Sequence, residues 1–148
     1  MPNHFHILLQ PNENGISEFQ NGSLQTSRLT NGFRLLQSGY ASHINRKKNI
    51  VGSLFKQKCS IKQVEFEQAE NYSTTCFHYI HYNPVKAGLC KKMEDWQFSS
   101  YKDYTSLRNG TLCNQQLAYS LLQINKENFI QDSLDFFSKG DSSVFYKE

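Results

Sequence analysis

The chain has 148 residues, which suits one domain with a buried core. Hydrophobic residues at 38% and aromatics at 14% exclude a disordered polymer. No apolar run approaches the roughly 20 residues of a membrane helix. The start, Met1-Pro2-Asn3-His4, has no basic region followed by an apolar stretch, so no secretory leader is expected and the cytoplasm is. Cys59, Cys76, Cys90 and Cys113 are widely spaced with no CxxC pair, and they read as reduced thiols.

A net charge of +3 carries little information, but its distribution carries more. From Phe19 to Val64 there is no Asp or Glu, while Arg28, Arg34, Arg46, Lys47, Lys48, Lys56, Lys58 and Lys62 all fall there. The rest of the chain is acidic. Such a block suits a phosphate backbone, and equally a solvated helix face with a basic loop.

His4 to Leu9 alternates and ends before Pro11, the pattern of a strand with Phe5, Ile7 and Leu9 toward the core. Pro11 to Gly15 reads as a turn. Leu29, Phe33, Leu36, Tyr40 and Ile44 form a helical stripe, with a stop at Asn45 to Asn49. Gly52 to about Val64 reads as a strand. A second helix is predicted from about Gln68 to Asn83, halted by Pro84. The form of Trp96 to Tyr104 is left open. Two short helices are predicted near Asn114 to Gln123 and Lys126 to Phe137.

Two constellations carry chemistry. His4 and His6, two apart on a strand, project the same way and can grip one metal ion, although half-exposed strands also carry such pairs by chance. Tyr79 and Asn83 are an i, i+4 pair, so a phenol sits one helical turn from an amide oxygen. A tyrosine flanked by Phe77 and Ile80 is also what a core position looks like. A phenol of pKa about 10 needs help to attack phosphorus, and a divalent cation supplies it.

The segment Met1-Pro2-Asn3-His4-Phe5-His6-Ile7-Leu8-Leu9 resembles the "MPNHxHLL" strand of bacterial single-tyrosine HUH transposases, above all those associated with repetitive extragenic palindromes. Tyr79-Ile80-His81-Tyr82-Asn83-Pro84-Val85-Lys86-Ala87-Gly88-Leu89 is similar to their "YIHxNPVKAGL" helix end, and Asp95-Trp96-Gln97-Phe98-Ser99-Ser100-Tyr101 to their "DWxxSSY" segment. Gly52-Ser53-Leu54-Phe55-Lys56-Gln57-Lys58 resembles the strand between the histidine strand and the tyrosine helix. The resemblance runs, with gaps, from residue 1 to about 104.

It implies an α+β fold of the ferredoxin-like HUH nuclease type, an antiparallel sheet with helices packed on it. Residues 1–104 would be the catalytic domain and 105–148 a helical extension of the same domain. It implies that His4 and His6 bind Mg²⁺ or Mn²⁺, with Asn83 as third ligand, and that Tyr79 forms a 5′-phosphotyrosine link and frees a 3′-OH. Arg46, Lys47, Lys48, Lys56 and Lys58 would hold phosphates of single-stranded or hairpin DNA. His81, two residues from Tyr79, points away from it and is expected to be structural or to touch DNA. The protein would act in the bacterial cytoplasm beside the nucleoid, as a monomer or homodimer. Family members carry a strand, a helix and a strand before the "MPNH" strand, so the resemblance implies a sheet short of its first partners. Either the chain starts at an internal Met of a longer protein or it is a truncated copy. A truncated or domesticated copy could bind DNA hairpins without cutting them. A metal-dependent hydrolase using water would leave Tyr79 and the basic block unexplained.

Overall fold

A computed structural model describes residues 4–55, 62–64 and 72–138. The described residues are α+β, with helices and one two-stranded antiparallel sheet. Two compact units form, Leu9–Lys62 and Met1–Leu8 together with Gln63–Glu148.

The unit from residue 9 to 62 begins with α1 (Glu13–Ile16), a single helical turn where the sequence predicts a simple turn. The Asn12 side chain caps it by accepting from the Gly15 N–H at 2.8 Å. A hairpin follows that the sequence reading did not assign. Strand β1 (Glu18–Asn21) pairs with β2 (Leu24–Ser27), Asn21 opposite Leu24, which leaves Gly22 and Ser23 as a two-residue loop. Gly22 has φ +62°, the conformation that the first position of a tight hairpin turn requires.

Ser27 then caps α2 (Arg28–Lys48), its Oγ accepting from the Thr30 N–H at 3.1 Å. The helix predicted from its apolar stripe is therefore present, and it ends where expected. Asn49 turns left-handed at φ 51°, and the Ile50 N–H reaches back to the Asn45 carbonyl at 3.0 Å. Of the stripe, Leu29, Phe33 and Ile44 are partly buried, whereas Leu36 and Tyr40 are exposed. The strand predicted for Gly52 to Val64 is not present at residues 52–55 or 62–64; the intervening residues lie outside the described part. Gly52 has φ +106°, and the Asn45 side chain binds its carbonyl, so the chain turns there instead of running straight.

The segment 4–9, of which residues 4–8 belong to the other unit, is not a strand. A strand exists through ladder hydrogen bonds, and no described segment pairs with it. Its faces are also not as predicted: Phe5, Ile7 and Leu9 are exposed, while Leu8 packs against the core.

Helix α3 (Tyr72–Lys86) continues through Pro84, which the sequence reading takes as its stop. The true end lies at Gly88, φ +69°. There the Gly88 N–H binds the Val85 carbonyl and the Leu89 N–H binds the Pro84 carbonyl, both at 2.9 Å, a Schellman closure. So late in the helix, Pro84 removes one donor without preventing the closure.

The Ser99 and Ser100 segment is fixed by Asp103 on α4 (Tyr101–Tyr104). The Asp103 carboxylate accepts from Arg108 at 2.6 and 2.8 Å and from the Gly110 N–H at 3.0 Å. Arg108 also donates to the Gln97 and Ser99 carbonyls. The Arg108 guanidinium holds the Asp103 pKa below the usual carboxylate value. Helices α5 (Gln115–Leu122), capped by Asn114, and α6 (Phe129–Ser138) match the predicted tail.

Phe129 of α6 is the centre of the core at 0% exposure. Rings of Tyr101, Tyr104, Phe77, His78 and His81 surround it with centroids 5.5–6.0 Å away. Phe129→Ala is expected to destabilise this unit by about 3–5 kcal/mol, read as a lower urea midpoint.

Candidate functional site

The site is built on the middle and C-terminal half of α3 and the segment before Leu9. The core face of α3 carries Phe77, His81 and Pro84, all buried. That face fixes the helix, and Tyr79, only partly buried, is turned off it. The His6 ring meets the Tyr79 ring edge-on with centroids 5.9 Å apart, and the His4 ring lies 5.0 Å from that of His6. The structure thus brings three predicted site residues, His4, His6 and Tyr79, into one cluster. They converge although the histidine segment is not a strand.

His4 and His6 are exposed. Crowding by neighbouring atoms, and then the charge of His4, lower the His6 pKa from its ordinary value. This favours the neutral imidazole, the form that binds a cation.

Asn83, one turn beyond Tyr79, is 6% exposed, and its Nδ2 has no hydrogen-bond partner among the described residues. An unmet buried amide is costly. A half-turn of its terminal torsion would present Oδ1, a hard donor suited to Mg²⁺ or Mn²⁺. Among the described residues no three of His, Cys, Asp and Glu gather around one point. A cation on His4 and His6 would need further ligands beyond the two imidazoles, and amide or phosphate oxygens are of the right chemical kind.

His81 is structural. It is 1% exposed, and its Nε2 shares a 2.8 Å hydrogen bond with Ser100 Oγ. Burial, then the neighbouring His78, push its pKa down to about 3. The sequence reading did not single out His78, which is equally interior. Its Nδ1 lies 3.0 Å from Ser133 Oγ, its ring stacks on Phe129 and Phe136, and burial lowers its pKa to about 4.

Lys86 was also missed. Its Nζ stands over the Tyr79 ring, 5.9 Å from the centroid. The signal was available: seven residues make nearly two helical turns, so Lys86 falls on the same side as Tyr79.

Of the predicted DNA contacts, Arg46, Lys47 and Lys48 form the exposed last turn of α2, in the unit of residues 9–62. Lys56 and Lys58 lie outside the described residues. Among the described residues Cys76, Cys90 and Cys113 form no disulfide, and Cys59 lies outside the described residues. A shallow polar hollow of about 420 Å³ is lined by Asp103, Arg108, Gln115 and Lys126 among others, and by none of His4, His6 and Tyr79. Among the described residues no helix is long and apolar enough to cross a membrane. Compared with known proteins, the chain matches no family model, no curated protein and no solved structure.

Proposed function

We propose that this chain is a single-tyrosine HUH transposase, or the larger part of one, which nicks and rejoins single-stranded DNA at hairpin-forming sites. One observation carries the reading: the Tyr79 phenol sits against His6, with His4 next in line. The finer fold that goes with it is ferredoxin-like, and the setting is the bacterial cytoplasm beside the nucleoid, with the protein a monomer or homodimer.

His4, His6 and Asn83 would hold Mg²⁺ or Mn²⁺. When bound, that ion polarises the scissile phosphate and offsets the charge that builds on its oxygens. Tyr79 Oη forms a bond to phosphorus as the bond from phosphorus to the 3′ oxygen breaks. The phenolic proton is lost and the leaving oxygen gains one, which gives a 5′-phosphotyrosine and a free 3′-OH. The energy of the cleaved linkage stays in the phosphotyrosine, so rejoining needs no nucleotide cofactor. Arg46, Lys47 and Lys48, with Lys56 and Lys58, would hold backbone phosphates in a salt-sensitive, sequence-tolerant way.

The test uses a hairpin oligonucleotide with a single-stranded flank and Mn²⁺. A denaturant-resistant protein–DNA adduct is expected, lost on chelation of the metal, with the nucleotide found on the peptide that contains Tyr79. Retention of the hairpin with no adduct would instead make this a DNA-hairpin binding protein. Cleaved DNA with nothing attached to protein would make it a hydrolase that uses water.

A further inference from the structure

We propose that Lys86 binds a backbone phosphate of single-stranded DNA beside Tyr79. The inference rests on the reading of Tyr79 as the residue that meets the DNA. Its own ground is the placement of an ammonium 5.9 Å above the Tyr79 ring centroid, on an exposed side chain.

Three features support it. Lys86 stands nearly two turns after Tyr79 on α3, so a rigid helix sets the spacing of charge and phenol. The opposite, buried face of that helix, with Phe77 and His81, is locked in the aromatic core, which keeps both residues on the open side. A phosphodiester brought within bonding distance of the Tyr79 hydroxyl must place its non-bridging oxygens a few ångströms away. The four-carbon stem of lysine allows its ammonium, a compact point charge, to meet an oxygen there.

A purely structural role is also physically reasonable. A lysine in the last turn complements the carbonyl end of a helix, and its stem can cover an aromatic ring. The two roles differ in measurable ways. A structural lysine affects unfolding, whereas a phosphate contact affects how DNA affinity depends on salt.

Binding of a short fluorescent single-stranded oligonucleotide is measured over a range of salt for the unaltered chain, Lys86→Met and Lys86→Arg. In Lys86→Met the slope of log affinity against log salt is expected to become shallower by about 0.7, the loss of one single-strand phosphate contact. Affinity at low salt should fall several-fold, and Lys86→Arg should restore both. With Mn²⁺ and the hairpin substrate, adduct formation at saturating DNA should drop at least about tenfold in Lys86→Met and recover in Lys86→Arg. An unchanged salt slope and affinity in Lys86→Met, with only a lower urea midpoint, would make Lys86 a helix-end support and overturn the proposal. The outcome is separable from that of the cleavage reading. If the unaltered chain forms no adduct yet Lys86→Met loses one unit of phosphate contact, cleavage falls and the contact stands. If the adduct forms and the slope does not change, only the contact falls.

Discussion

Replacing Tyr79 with Phe is expected to abolish the covalent protein–DNA adduct, a loss of roughly 1000-fold or more in its rate, while the hairpin stays bound. The substitution removes one oxygen and leaves the ring. The edge contact with His6 and the position of α3 on the core are properties of the ring and of Phe77 and His81, so they persist. Gel mobility of the native complex and of the denatured adduct, measured side by side, check both halves. An adduct of undiminished yield would move the nucleophile elsewhere. The nearest tyrosine in sequence, Tyr82, is an unsuitable substitute, because its ring stacks on Phe137 with centroids 3.8 Å apart.

Acidification is expected to unfold the unit built around Phe129. His78 and His81 have folded pKa values of about 4 and about 3, against an ordinary 6.5, because burial disfavours their charged forms. In this window the unfolded chain binds more protons than the folded one. Their contribution is therefore complete above pH 6.5 and declines as the pH falls, levelling only below the folded values. Each histidine contributes a slope of up to about 1.4 kcal/mol per pH unit, and by about pH 4.5 the two together should remove roughly 3–5 kcal/mol. That is a large share of the stability of a small domain. Urea unfolding between pH 7.5 and 4.5 reads it directly. His81→Gln, which can still hydrogen-bond Ser100, should remove about half of the slope. An unfolding free energy flat across this range would mean that neither imidazole is held neutral by the fold.

How far the sequence carried depends on where each element draws its stability. Helix α2 was legible because its apolar stripe and its stop at Asn45 to Asn49 are local signals, and Asn114 announced α5 in the same way. The position of α3 was legible too, but its end was not. Pro84 is a usual stop, yet the Schellman closure around Gly88 accommodates it. The hairpin escaped because its strands are short and polar, and the two-residue loop Gly22-Ser23 was its one local mark. The segment 4–9 has the alternation of a strand, but alternation describes one partner of a ladder and says nothing of the other. The site was legible as residue types: His4, His6 and Tyr79 meet. Lys86 and the burial of His78 were not read, since the first needed a two-turn spacing to be counted and the second depends on α6, more than fifty residues away in sequence.

The two halves of the candidate site are anchored unequally. Tyr79 rides on a helix packed on an aromatic core, whereas His4 and His6 sit on a segment that forms no ladder bonds among the described residues and packs on that core through Leu8. A cation captured by the imidazoles would also be holding that segment, so its apparent affinity would depend on how fully the segment stays docked. Whatever steadies residues 4–9 would then tighten the grip on the ion without touching a single ligand.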